Sequence, residues 1–203
     1  MRFSRENQAG AQAPRPTRRG LTVAHRTDDV FGKVSFIGGR YMGFLDDIQN
    51  YRVYFETLTI GERFISPGRT ITETDIVNFA ALSGDYNQLH TDAQFAATTQ
   101  HGQRIAHGLL VLSVTSGLSS RLPVMKAMET TLIGLAELKC RWRKPTLIGD
   151  TLHVVMEVVE KTESRKPDRG TVLLRRMAVN QHGDAVLESD WSLVLQRATL
   201  PPS

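Results

Sequence analysis

The spacing of apolar residues changes along this chain and divides it into elements. In "ETDIVNFAALS", residues 73–83, Ile76, Phe79 and Ala80 recur at helical spacing, with Val77 beside them. Thr72 stands where a cap is wanted, and Asp75 lies in the first turn, where negative charge suits the helix dipole. Gly84 tolerates positive φ and ends the helix. Thr91 and Gln94 have the spacing of a capping box and predict a second helix there. "HGLLVLSVTSGLSSRL", residues 107–122, is apolar nearly all round, with Ser113, Ser116, Gly117 and Ser120 interspersed. A helix without a polar face is expected to be buried, and Gly108 stands at its start. From Thr131 the period becomes two. Leu132, Ala136, Leu138, Cys140 and Trp142 alternate with Glu137, Lys139, Arg141 and Arg143, so the first set is expected to point inward from a strand. Three more strands follow in "GDTLHVVMEVVE", "TVLLRRMAV" and "AVLESDWSLVLQ", the last two flanking a hairpin at "NQHGD". Upstream, residues 54–71 read as a turn at Gly61 and an extended segment broken at Ser66-Pro67-Gly68. The order predicts an α+β domain, one buried helix against a curved antiparallel sheet.

Composition narrows the setting. The 203 residues suffice for one good-sized domain, and 40% apolar with 23% charged is ordinary for a globular protein. No apolar run approaches the roughly 18 residues of a membrane span. Cys140 is the only cysteine, so no intrachain disulfide forms, and a reducing, cytoplasmic setting is expected. Residues 1–41 hold eight Lys/Arg against three Asp/Glu, whereas the other 162 hold 17 against 18. The basic balance therefore belongs to the first segment, and no nucleic-acid partner is expected. That segment has no hydrophobic periodicity and no apolar signal-peptide core. It is expected to be a disordered basic extension, with residues 42–203 forming a single domain.

"GDYNQLHTD", residues 84–92, holds the first candidate chemistry. Asp85 follows a helix end and His90 precedes a helix start, so a short connection fixes both. A carboxylate sharing a water with a histidine is an acid/base pair near neutral pH. The bland alternative is an Asx turn with a loop histidine. Gly108 offers a backbone N–H at a helix start, where negative charge is welcome and close approach is easy; glycine also starts helices merely as a cap. Ser116, two turns on, could bond Asp85 or His90, or its own helix. Other arrangements fail: the chain has no HExxH, CxxC, P-loop or G-x-S-x-G. Asp85, His90 and Asp92 make a poor metal set because Asp92 is better explained by the helix it precedes, so no metal or cofactor is expected. Cys140 reads as core rather than nucleophile. His101 and His107 are six apart, on no common helical face.

Taken together and in order, "FAALSGDYNQLHTD", "FAATTQHGQRIAHGLLVLSVTSGL" and "RWRKPTLIGDTL" resemble the MaoC-like dehydratases, the (R)-specific enoyl-CoA hydratases of the hotdog fold. The resemblance covers about residues 54–197. It implies a curved antiparallel sheet wrapped around a central helix, and a homodimer or dimer of dimers with acyl thioesters bound between subunits. It implies catalytic roles for Asp85 and His90, a carbonyl-binding N–H at Gly108, a serine on the central helix at Ser116, and a loop-orienting role for Asn87. Family members often carry Pro where this chain has Gln88. The implied reaction adds water to the enoyl thioester of CoA or acyl carrier protein. A hotdog thioesterase and a non-catalytic acyl-CoA-binding hotdog are the alternatives. Arg104, Lys139, Arg143 and Lys144 are candidates to meet CoA phosphates, or simply surface charges.

Overall fold

The computed structural model describes residues 51–198. The proposed division at residue 42 and the basic first segment lie outside them. Strands β1 (Arg63–Ile65), β2 (Arg69–Thr70), β3 (Leu132–Trp142), β4 (Thr151–Glu163), β5 (Arg169–Val179) and β6 (Ala185–Gln196) are joined by antiparallel pairing. Their order is β1-β4-β5-β6-β3, and β2 also pairs with β4. Between β2 and β3 come helices α1 (Glu73–Ser83), α2 (Gln88–Thr91), α3 (Ala93–Ala97), α4 (Gly108–Ser120) and α5 (Pro123–Met128). The architecture is the expected α+β hotdog, a curved antiparallel sheet with helices.

Strand alternation builds the inner face. Leu152, Val154, Met156 and Val158 of β4, Val172, Leu174 and Ala178 of β5, and Leu193 and Leu195 of β6 are all buried. They form one cluster with Leu110, Val111, Val114 and Leu118 of α4. Each large side chain so buried contributes roughly 1.5–3 kcal/mol of transfer free energy. Buried hydroxyls on α4 are satisfied within the helix: Thr115 donates to Val111 O at 2.7 Å and Ser119 to Thr115 O at 2.8 Å. Arg176 points into the same core, its guanidinium 4.1 Å from the centre of the Trp191 ring. Burial lowers its pKa to about 10, which still leaves it charged at neutral pH.

Four expectations need correction. Helix α4 is not enclosed by the described residues: Leu109 is 58% exposed, and Ser113, Gly117 and Ser120 lie on the same open stripe. In β3, Leu132, Ala136, Leu138 and Trp142 are exposed, and only Cys140 of the predicted inward set packs on the core. The alternation there is genuine, but among the described residues β3 is an edge strand paired with β6 alone, with register shifts near Gly134 and Ala136. The described residues leave most of this strand's side chains open. Val77 is 54% exposed, so α1 buries only Ile76 and Ala80, with Phe79 half-buried. Finally, Asp92 rather than Thr91 caps α3, accepting from the N–H groups of Gln94 and Phe95 at 2.9 and 3.0 Å.

Candidate active site

The site begins where α1 ends. Thr72 and Asp75 form a reciprocal capping box that fixes the start of α1. Gly84, at φ 75°, closes it by donating to Ala80 O. Asp85 comes next. Its carboxylate accepts the Asn87 N–H at 3.2 Å, an Asx turn that leaves the rest of the carboxylate open to solvent. Asn87 caps α2 by accepting the Leu89 N–H at 3.0 Å. The connection expected to be plain loop thus contains a one-turn helix. Gln88 is its first residue, a position where proline is equally at home. Thr91, relieved of the capping role, donates to Tyr86 O and Asn87 O.

His90 lies on α2, half-buried, with Nδ1 2.8 Å from Ile105 O. A carbonyl only accepts, so Nδ1 carries the proton and neutral His90 presents a lone pair at Nε2. His107, passed over in the sequence because it shares no helical face with His101, is 2% exposed. It stacks on His90 with ring centroids 3.9 Å apart and planes 30° apart, and meets Phe79 at 5.1 Å. Its Nε2 lies 3.0 Å from Asp85 O and its Nδ1 has no partner among the described residues. Asp85, His90 and His107 each bring a ligand-type atom within 4.8 Å of the others. A metal ion could use such a spacing. Stacked rings, however, direct their nitrogens side by side, whereas ligands to one ion converge on it. No pattern in a single sequence marks His107, because the fold alone folds the 101–107 segment back across α2.

Gly108 is the first residue of α4, and the His107 side chain does not cap that helix. The leading N–H groups are therefore available to a developing negative charge. Trp142, from edge strand β3, lies against Gly108 and donates Nε1–H to its carbonyl at 2.8 Å. A Cβ added at Gly108 would sit 2.7 Å from Trp142 Nε1, so the glycine is required by close approach.

Residues 55–179 match the family described as MaoC like domain. The chain belongs to this family. It is 38% identical over 117 residues to Protein MaoC of Klebsiella aerogenes, an alignment covering 58% of this chain and 34% of that one. The chain thus spans about a third of that relative's length. It is 34% identical over 114 residues to the (R)-specific enoyl-CoA hydratase of Rhodospirillum rubrum, covering 56% of this chain and 74% of the other. The solved MaoC-like dehydratase from Rhodospirillum rubrum superposes with a TM-score of 0.64 at 29% identity, covering 73% and 99% of the two chains.

Within this MaoC-like domain, two predicted site residues stand apart from the rest. Ser116 is half-buried and hydrogen-bonds neither Asp85 nor His90. Eight residues from Gly108 along a helix place it about 12 Å from the helix start. Arg104 is held by Glu73, Nη2 to Oε1 2.7 Å, which ties the 101–107 segment to the start of α1. Lys139, Arg143 and Lys144 likewise pair with Glu137, Glu188 and Asp184. Burial pushes the Cys140 thiol pKa up, which disfavours a nucleophilic thiolate. Among the described residues, no helix is long and apolar enough to cross a membrane.

Proposed function

We propose that this MaoC-like domain adds water reversibly to a 2-enoyl thioester, giving the (R)-3-hydroxyacyl thioester of CoA or acyl carrier protein. The observation that carries this is the convergence of Asp85 and His90, together with His107, immediately before the open N-terminus of α4. The thioester carbonyl accepts from Gly108 N–H. Asp85 and His90 Nε2 hold one water and take its proton as the oxygen bonds to the β-carbon. The alkene π pair moves toward the α-carbon, and negative charge gathers on the carbonyl oxygen, where the helix start favours it. The α-carbon then takes a proton back from the pair. One water has crossed the double bond, and the reverse path is a dehydration.

The stereochemistry is supported by the name of the Rhodospirillum rubrum relative, an (R)-specific enoyl-CoA hydratase. The chain is proposed to work as a homodimer, because apolar side chains on β3 and Leu109 on α4 are left uncovered by the described residues. Crotonyl-CoA tests the reading, with absorbance followed at the enoyl band and free thiol measured in parallel. Loss of the band without thiol is the expected result. Thiol release would make the protein a thioesterase. Binding with neither change would make it a carrier or sensor of acyl-CoA.

A further inference from the structure

We infer that His107 is a positioning residue that locks the Asp85 main chain and the His90 ring to the start of α4. The inference rests on the hydratase reading above and assigns a role to a third residue of the same site. Three observations on one side chain carry it. His107 is 2% exposed and immediately precedes Gly108. Its Nε2 lies 3.0 Å from the backbone oxygen of Asp85, so Nε2–H is the donor and Nδ1 the bare nitrogen. Its ring forms the floor beneath His90 at a centroid distance of 3.9 Å.

The chemistry needs such a link. The water must be held by Asp85 and His90, whereas the carbonyl must be held at Gly108. These groups belong to separate elements, and a misplacement of about 1 Å costs rate steeply. His107 joins them in two ways. Its hydrogen bond fixes where the Asp85 backbone sits relative to α4. Its flat face, with the Nδ1–H of His90 donated to Ile105 O, leaves His90 one ring orientation. The Nδ1 of His107 is enclosed, and its Nε2 is turned onto the Asp85 main chain. His107 therefore handles no proton in the reaction and acts through its two neighbours.

Two variants separate this from a merely structural role. His107→Phe keeps a flat apolar ring but cannot donate to Asp85 O. His107→Gln gives up the ring but carries an amide N–H at a similar reach. With crotonyl-CoA, His107→Phe is expected to lower kcat 10- to 100-fold with KM changed less than threefold, and His107→Gln to recover most of that loss. Nitrogen-15 spectra of wild type should show His107 protonated on Nε2 and His90 on Nδ1. Full kcat in folded His107→Phe would overturn the role, as would opposite tautomers. A glutamine variant as inactive as the phenylalanine variant would also overturn it, since returning the donor to Asp85 O would then recover nothing. Should neither variant fold, the tautomers in wild type decide the matter. Wild type that hydrates nothing would overturn the hydratase reading and this role with it, whereas active wild type beside an unimpaired His107→Phe overturns this role alone.

Discussion

At the scale of single residues, Asp85 and His90 have little to do for stability. Asp85 is exposed, and among the described residues its carboxylate accepts one hydrogen bond, from Asn87 N–H. His90 is held by a main-chain carbonyl and a stacked ring. Asp85→Asn and His90→Gln should each lower kcat by about 10²–10⁴ while the melting temperature changes little. Because the two are proposed to share one water, the double variant should be scarcely worse than either single one. Additive losses, measured in the same crotonyl-CoA assay, would show that the pair does not act as a unit. Gly108 carries a different constraint. Alanine there keeps the N–H but drives its methyl into Trp142 and breaks the indole bond to the Gly108 carbonyl. Gly108→Ala should therefore impair activity, and Trp142→Leu should relieve much of that loss by making room. Equal impairment in both backgrounds would locate the defect in the backbone of α4 instead. Asp85, His90 and Gly108 could be singled out in the sequence because short-range signals frame them. His107 could not, because its partners lie 17 and 22 residues away in the chain.

At the scale of elements, α1 carries the site on its C-terminal end and depends on a cap at its other end. Burial pushes the Asp75 carboxyl pKa up, but the Thr72 N–H and hydroxyl and the Arg69 guanidinium together pull it below its ordinary value. A depressed carboxyl pKa stabilises the fold above the unfolded value and loses that contribution as pH falls through the folded value. Asp75→Asn should cost about 1 kcal/mol near pH 7, in the range of a lost cap. The melting-temperature gap between variant and wild type should close as pH drops below about 4. A gap that stays constant down to pH 2.5 would mean that Asp75 acts through shape and not charge. The cap at Thr72 was legible because it is local. The cap of α3 lies one residue beyond Thr91, since Thr91 and Asp92 both suit the position and the Thr91 hydroxyl is taken up by Tyr86 O and Asn87 O. The one-turn helix α2 is too short to leave a periodic signature at all.

At the scale of the whole molecule, the uncovered apolar surface of β3 and α4 leads to a prediction about assembly. Ile133 and Leu135 are 43% and 48% exposed on an edge strand, and Leu109 is 58% exposed on α4. An open, apolar strand edge invites pairing with another chain. Sedimentation of wild type should give a dimer at micromolar concentration, and a paired Ile133→Lys, Leu135→Glu variant should shift it toward monomer and lose activity. A monomeric wild type with full activity would remove the need for a partner copy. Period-two alternation in β4, β5 and β6 and the run of apolar residues in α4 determined the α+β class by themselves, because burial on one face imposes a pattern wherever the cover lies in the same chain. The framing of Asp85, His90 and Gly108 by helix ends was likewise determined locally, by caps and turns that act over a few residues. Only the tertiary structure decided that β3 lies at the edge with its apolar residues open, that Trp142 seals the carbonyl of Gly108, and that His107 stacks beneath His90. These are contacts between elements distant in sequence, and packing selects them through the path of the whole chain, which no local spacing records.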